Sequence, residues 1–160
     1  MDTTRISAEP GLPFIEIARE FDAPRQLVYR AHVDPELLVQ WLGPRRLTMV
    51  VERFEVRDGG TWRYAHRDAD GSEHGFHGVF HGTPSLDGIV QTFEYEGTPG
   101  HVSLDSVTFE ERDRRTVLHG RTVFQAVEDR DAMMASGMEG GIREGYERLD
   151  EVLARLVEVR

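Results

Sequence analysis

Thr61-Trp62-Arg63-Tyr64-Ala65-His66-Arg67 and Glu73-His74-Gly75-Phe76-His77-Gly78-Val79-Phe80, joined by Asp68-Ala69-Asp70-Gly71-Ser72, decide the fold. Both arms place an aromatic ring or a small residue at every second position, the period of a half-buried strand. A three-residue loop Ala69-Asp70-Gly71, with Gly71 supplying the positive φ of a bulge, sets Asp68 opposite Ser72. Tyr64 then faces Phe76 and Trp62 faces Gly78. Trp62, Tyr64, Phe76 and Phe80 share one side, and Gly78 leaves room beside the indole. A slip of one residue would scatter these rings over both faces, so hydrophobic matching selects this register.

The period of two extends on both sides. Strands are predicted over 47–56, 60–67, 74–83, 89–96, 102–111 and 116–125, separated by Gly-, Pro- and Asp-rich turns such as Asp58-Gly59-Gly60 and Asp113-Arg114. Upstream, Phe14–Phe21 puts Ile15, Ile17 and Phe21 on one face and Glu16 and Glu20 on the other. Pro24 suits the first turn of a helix running to about His32. Asp34-Pro35-Glu36 reads as an N-cap, a proline at the first helical position and an early acid, opening a second short helix towards Trp41 that Gly43-Pro44 stops. Downstream, Met134, Met138, Ile142, Leu149, Leu153 and Leu156 recur at helical spacing with Tyr146 on the same side, predicting one long helix over Asp129–Val159. Met1–Pro13 has little pattern and is expected to be a flexible arm preceding a single domain of residues 14–160. The predicted class is α+β: an antiparallel sheet of about seven strands, two short helices and a long C-terminal helix over one sheet face.

Composition narrows the chemistry. With 39% apolar and 30% charged residues the chain reads as an ordinary globule. It has no apolar run of the ~20 residues a membrane span needs, and residues 1–13 lack the apolar centre of a signal peptide. A cytoplasmic location with no membrane insertion is the expectation. The absence of cysteine excludes disulfides, thiolate catalysis and Cys-ligated metals. All 19 basic residues are Arg, against 29 acids, for a net charge of −10. That balance opposes docking on nucleic acid, and the lack of lysine removes Schiff-base chemistry and Walker-type phosphate loops.

Gly137, Gly140, Gly141 and Gly145 interrupt the last helix, at about 0.8–1 kcal/mol each relative to Ala. Three origins fit: volume left open between helix and sheet, a close approach of the two, or a helix that starts late, near Gly141. The first is the working expectation, because an aromatic set lies opposite: Trp62, Tyr64, Phe76, Phe80, Phe93 and Tyr95. Met134, Met138 and Tyr146 would complete the lining, with Trp41 as a lid or entrance.

The histidines are weak metal candidates. His74 and His77 point to opposite faces, and His77 and His81 lie about 13 Å apart at ~3.3 Å per residue. His66 opposite His74 is the one feasible pair, without an evident third ligand, so neither a metal nor a cofactor is expected. His77 and His81 read as solvated. Glu94 and Arg121 are expected to point outward. Asp105 shares the phase of Val107 and Phe109 and is the exception; buried there, it would have a raised pKa. No Gly-x-Ser-x-Gly elbow is present.

Phe21-Asp22-Ala23-Pro24, Asp34-Pro35-Glu36, Trp41-Leu42-Gly43-Pro44, Val56-Arg57-Asp58-Gly59-Gly60-Thr61-Trp62, Gly78-Val79-Phe80 and Ser136-Gly137-Met138-Glu139-Gly140-Gly141 occur in this order. Together they resemble the bacterial branch of the family named after the activator of Hsp90 ATPase, in the START/Bet v 1-like (SRPBCC) superfamily, over about residues 14–157. The resemblance implies a helix-grip fold, a curved sheet gripping the C-terminal helix around a hydrophobic cavity, and binding of apolar molecules. One departure is His81-Gly82, where many members carry an acid. No catalytic motif carries over.

Three functions follow as expectations. The first is a carrier or sensor holding an apolar or amphipathic small molecule against Trp41, Trp62, Tyr64, Phe76, Phe80, Phe93, Tyr95, Met134, Met138 and Tyr146. The second is a polyketide cyclase- or aromatase-like enzyme using Tyr64, Tyr95, His66 or Asp105. The third is a chaperone-associated interaction module using the acidic helix face of Glu144, Glu147, Asp150, Glu151 and Glu158. An Hsp90-type chaperone is not the expected partner, and a homodimer is left open.

Overall fold

The computed structural model describes residues 3–158. Eight strands form one antiparallel sheet: β1 (Arg5–Ser7), β2 (Phe14–Phe21), β3 (Thr48–Phe54), β4 (Thr61–Arg67), β5 (Glu73–Val79), β6 (Ile89–Tyr95), β7 (Val102–Arg112) and β8 (Arg115–Val123). Their spatial order is β1-β2-β8-β7-β6-β5-β4-β3. Helices α1 (Arg25–Val33) and α2 (Pro35–Leu38) follow β2, and α3 (Val127–Ala135) and α4 (Met138–Glu158) close the chain. The β4–β5 hairpin has the register read from its sequence: Trp62 opposite Gly78, Tyr64 opposite Phe76, and Asp68 N–H donating to Ser72 C=O at 2.9 Å. Asp34 caps α2 by accepting from the Glu36 N–H at 3.0 Å.

Two elements differ from expectation. The segment expected to be a loose arm contributes the eighth strand, with Arg5 opposite Ala18 and Ser7 opposite Glu16. It is tied by backbone contacts that leave no hydrophobic pattern in the sequence. Arg143 donates to Thr4 C=O (3.0 Å), Arg130 donates to Glu9 C=O (2.9 Å), and Phe124 N–H donates to Pro13 C=O (2.7 Å). The single long helix is instead two. Ser136 closes α3 through its N–H to Met133 C=O, and Gly137 (φ +86°) turns the chain in the left-handed region before α4 begins. Val159 lies outside the described residues.

The face of the sheet bearing Trp62 and Tyr64, here the inner face, is covered by helix. Phe21, Leu27, Val28, Ala31, Leu38, Trp41, Phe109, Leu118, Leu149, Val152 and Leu153 form the dry core under α1, α2 and the later turns of α4. Arg19 is 2% exposed on the same face. Its guanidinium grips Asp150 of α4 in a bidentate pair at 2.5 and 2.7 Å, while Nε donates to Thr4 Oγ1 at 3.2 Å. This clamp holds β2, β1 and α4 together.

Candidate functional site

On the inner face, alternation brings five rings from three adjacent strands into one run of contacting aromatics. Trp62 and Tyr64 are nearly parallel at 5.2 Å. Tyr64 meets Phe76 at 5.3 Å; Phe76 meets Phe93 at 5.3 Å and Tyr95 at 5.1 Å. Gly78 makes this possible: a Cβ there would lie 2.6 Å from the Trp62 ring and 2.0 Å from Thr92 C=O. Trp62 and Tyr64 are buried, but Phe76, Phe93 and Tyr95 are only half-buried, as are Val107 and Ile142. The first turns of α4, from Met138 to Glu144, contain no buried residue, whereas Gly145, Tyr146, Leu149, Val152 and Leu153 farther along are buried. The fold is therefore packed tightly at the α1 end and loosely above the aromatic run.

A polar row crosses this face. Gln91, Asp105 and Thr122 are cross-strand partners on β6, β7 and β8. Asp105 points inward, in the phase of Val107, while Glu94 and Arg121 lie on the outer face: Glu94 accepts from Gly100 N–H, and Arg121 pairs with Glu16 at 2.9 Å. Burial pushes the Asp105 carboxyl up to about 6, against a smaller downward pull from the Thr122 hydroxyl. Its Oδ1 is buried with no hydrogen-bond partner among the described residues, as are Trp62 Nε1 and His66 Nδ1. Burial raises the pKa of Tyr64 and Tyr146, and the Asp105 charge raises both further. Those couplings place the two phenols within electrostatic reach of the acid.

The other anticipated lining residues divide. Phe80 is fully buried edge-on against Phe54 at 5.7 Å. Tyr146 packs edge-on against Phe21 at 5.4 Å and stacks on Trp41 at 6.0 Å. Trp41 is not a lid: it is 3% exposed, and its indole N–H donates to Ala31 C=O at 2.9 Å. Met134 and Met138 flank the α3–α4 break, half-buried and outside the core cluster. The glycines divide: beside the half-buried Gly141 only Pro44 Cδ lies within 4 Å of an added Cβ, at 3.8 Å. A Cβ on Gly145 would lie 3.1 Å from Trp41 C=O and 3.3 Å from Gly43 N, so its bareness admits the α2–β3 connection; Gly137 and Gly140 are exposed with nothing beside them.

His32 was not singled out from the sequence, although it sits one turn after Val28 on the buried side of α1. Its Nδ1–H donates to Val28 C=O at 2.7 Å, and burial lowers its pKa to about 4. His66 also falls to about 4, by burial and then by the positive charge of Arg148 and the neighbouring His74. His74 hydrogen-bonds Tyr95 Oη at 3.1 Å. On the outer face His77 bonds Glu96 at 2.9 Å, and Glu96 is held down to about 2 by Arg63 and then His77. Among the described residues no group of three His, Asp or Glu converges as a metal site. Three acids of the α4 face are engaged internally: Glu144 and Glu151 by Arg45, and Asp150 by Arg19.

An open antiparallel sheet with short helices and a long C-terminal helix over its inner face is the helix-grip architecture. Residues 22–154 match the model of the family described as activator of Hsp90 ATPase homolog 1-like protein, and the chain belongs to that family, within the SRPBCC/Bet v 1-like superfamily. No curated protein matches the chain. Among solved structures, a Rhodobacter sphaeroides protein is 26% identical, with a TM-score of 0.87 over 95% of this chain and 99% of its own. A protein of Arthrobacter aurescens is also 26% identical, with a TM-score of 0.86 over 94% of this chain and 91% of its own. A protein of Silicibacter pomeroyi named AHSA1 is 19% identical, with a TM-score of 0.70 over 88% of this chain and 97% of its own, a likeness of fold. Among the described residues no helix is long and apolar enough to cross a membrane.

Proposed function

We propose that the chain is a small-molecule binding protein that takes an apolar or amphipathic ligand between the aromatic run of β4–β6 and the first turns of α4. The observation that carries this reading is the coincidence, on one sheet face, of half-buried rings in contact with one another and buried polar atoms that have no partner among the described residues. A buried donor or acceptor left unpaired costs about 1–3 kcal/mol, and such groups in a native fold call for an explanation. A ligand would gain from apolar area removed from water, with a few polar groups fixing its orientation. Fluorescence is the direct test. The chain has two tryptophans, so Trp41→Phe leaves Trp62 as the sole reporter. Titration with N-phenyl-1-naphthylamine, a fatty acid and a sterol is expected to change Trp62 emission saturably for at least one of them; no response to any would overturn the reading.

A second reading, catalysis on an aromatic or polyketide-like substrate, draws on one observation. Asp105 has its carboxyl raised to about 6, into the range of a general acid near neutrality, with Tyr64 within reach. It requires turnover of such a substrate that Asp105→Asn abolishes while binding persists.

A further inference from the structure

The binding reading leaves the head group of the ligand open, and Asp105 bears on that choice. Its Oδ1 is buried and unpartnered, and the residue forms no ion pair among the described residues. On the same face Arg19 is committed to Asp150. The groups that act on Asp105 are the Thr122 hydroxyl and the phenols Tyr64 and Tyr146, all uncharged near neutral pH. The buried histidines His32 and His66 are held uncharged there as well. Two other features favour a positive guest. Ring faces attract cations, and the half-buried Phe76, Phe93 and Tyr95 are the rings of the run open to a guest. The net charge of −10 raises the local concentration of cations and disfavours anions.

We infer that the ligand is a lipophilic amine, with its ammonium group on Asp105 and its apolar body along the aromatic run. This rests on the binding reading above and adds the head group to it. The ammonium would donate to the orphaned Oδ1, giving that oxygen a charge-assisted hydrogen bond beside the Thr122 contact. A carboxylic acid of the same shape would face Asp105 with like charge, and an alcohol would satisfy the hydrogen bond without the charge.

The test uses the full chain and three probes of one shape, 4-phenylbutylamine, 4-phenylbutan-1-ol and 4-phenylbutyrate, each displacing N-phenyl-1-naphthylamine. At neutral pH the amine is expected to bind ~10-fold or more tightly than the alcohol, and the acid weakest. Asp105→Asn is expected to erase the preference for the amine, with the alcohol still displacing the dye. A wild-type protein that binds alcohol and amine equally, or prefers the acid, overturns the inference while the binding reading stands; so does a preference that survives Asp105→Asn. Failure of the dye and all three probes removes both. A readout independent of the variant comes from the wild type alone. An alkylammonium stays charged from pH 7.5 to 5, whereas the Asp105 carboxyl, raised to about 6, takes up its proton in that window. The preference for amine over alcohol must therefore fall as the pH is lowered, and a flat ratio counts against the assignment.

Discussion

Ala substitutions at Gly140 and Gly145 of α4 should have opposite effects on stability. Both residues are helical, so intrinsic propensity alone favours Ala at each by about 0.5–1 kcal/mol. At Gly140 nothing lies within 4 Å of an added Cβ, so most of that gain should be realised, tempered by its place in the first turn. At Gly145 the Cβ would meet Trp41 C=O at 3.1 Å and Gly43 N at 3.3 Å. These are backbone atoms of a connection held to α1 by the Trp41 indole bond to Ala31 and to α4 by Arg148 donating to Gly43 C=O at 3.0 Å. Such a contact cannot be relieved by rotating a side chain, and overpacking of this kind costs about 1–3 kcal/mol. Subtracting the propensity gain leaves Gly145→Ala neutral to about 2 kcal/mol destabilised, so the two variants should differ by about 1–3 kcal/mol. For a chain of this length 1 kcal/mol moves Tm by about 2–4 °C, so parallel thermal and urea unfolding resolve the gap. If both substitutions stabilise the protein equally, the helix does not ride on the Trp41–Gly43 backbone and the account of the glycines is wrong.

Asp150→Ala takes the bidentate carboxylate away from the buried Arg19 guanidinium and is expected to lower stability by about 1–3 kcal/mol, while Arg19→Met, which removes the charge and keeps the bulk, should cost less; urea melts giving the reverse order would refute the clamp. Asp105→Asn should raise stability by up to about 3 kcal/mol at pH 8, because a carboxyl raised from 3.8 to about 6 on folding carries a penalty that is full above 6 and absent below 3.8. That benefit must vanish near pH 4, and its persistence there would contradict the burial of the acid. His32 and His66 act in the opposite sense: lowered from 6.5 to about 4, they favour the folded state above pH 6.5, and that advantage drains away as the pH drops to 4. Removing the one group that gains on acidification, by Asp105→Asn, should therefore steepen the acid loss in a pH series of denaturant melts.

What the sequence revealed depends on how each element is held. The β4–β5 register was legible because rings at every second position cannot change face without exposure, and the α2 cap because Asp34-Pro35-Glu36 carries its own local chemistry. β1 was not legible: it is anchored by carbonyls and by the distant Arg130 and Arg143, and neither tie leaves an apolar period. The break at Gly137 was hidden because Met134 and Met138 keep helical spacing across it. Trp41 was misplaced as a lid because its flanking turn residues signal a loop, whereas a buried indole is decided by a partner, Ala31 C=O, ten residues earlier. Asp105 was recognisable by phase alone, and Gln91 and Thr122 beside it only once the strand order was known.

The uneven packing of the inner face separates holding the fold together from holding a ligand. At the α1 end Val28, Ala31, Leu118 and Leu149 are fully buried, and the Arg19–Asp150 clamp fixes α4 to the strand beside them. Above β4–β6 the rings lean on one another, from Trp62 through Tyr64 and Phe76 to Phe93, so the aromatic surface is supported from within the sheet and does not rely on a helix pressed against it. A guest entering there would disturb few of the contacts that stabilise the domain. The two halves are joined by Tyr146, whose ring stacks on Trp41 in the tight half and whose pKa registers the charge of Asp105 in the loose one. Occupancy at Asp105 would thus be felt at both phenols its charge reaches, Tyr64 and Tyr146, and through Tyr146 at the α2–β3 connection on which Gly145 rests.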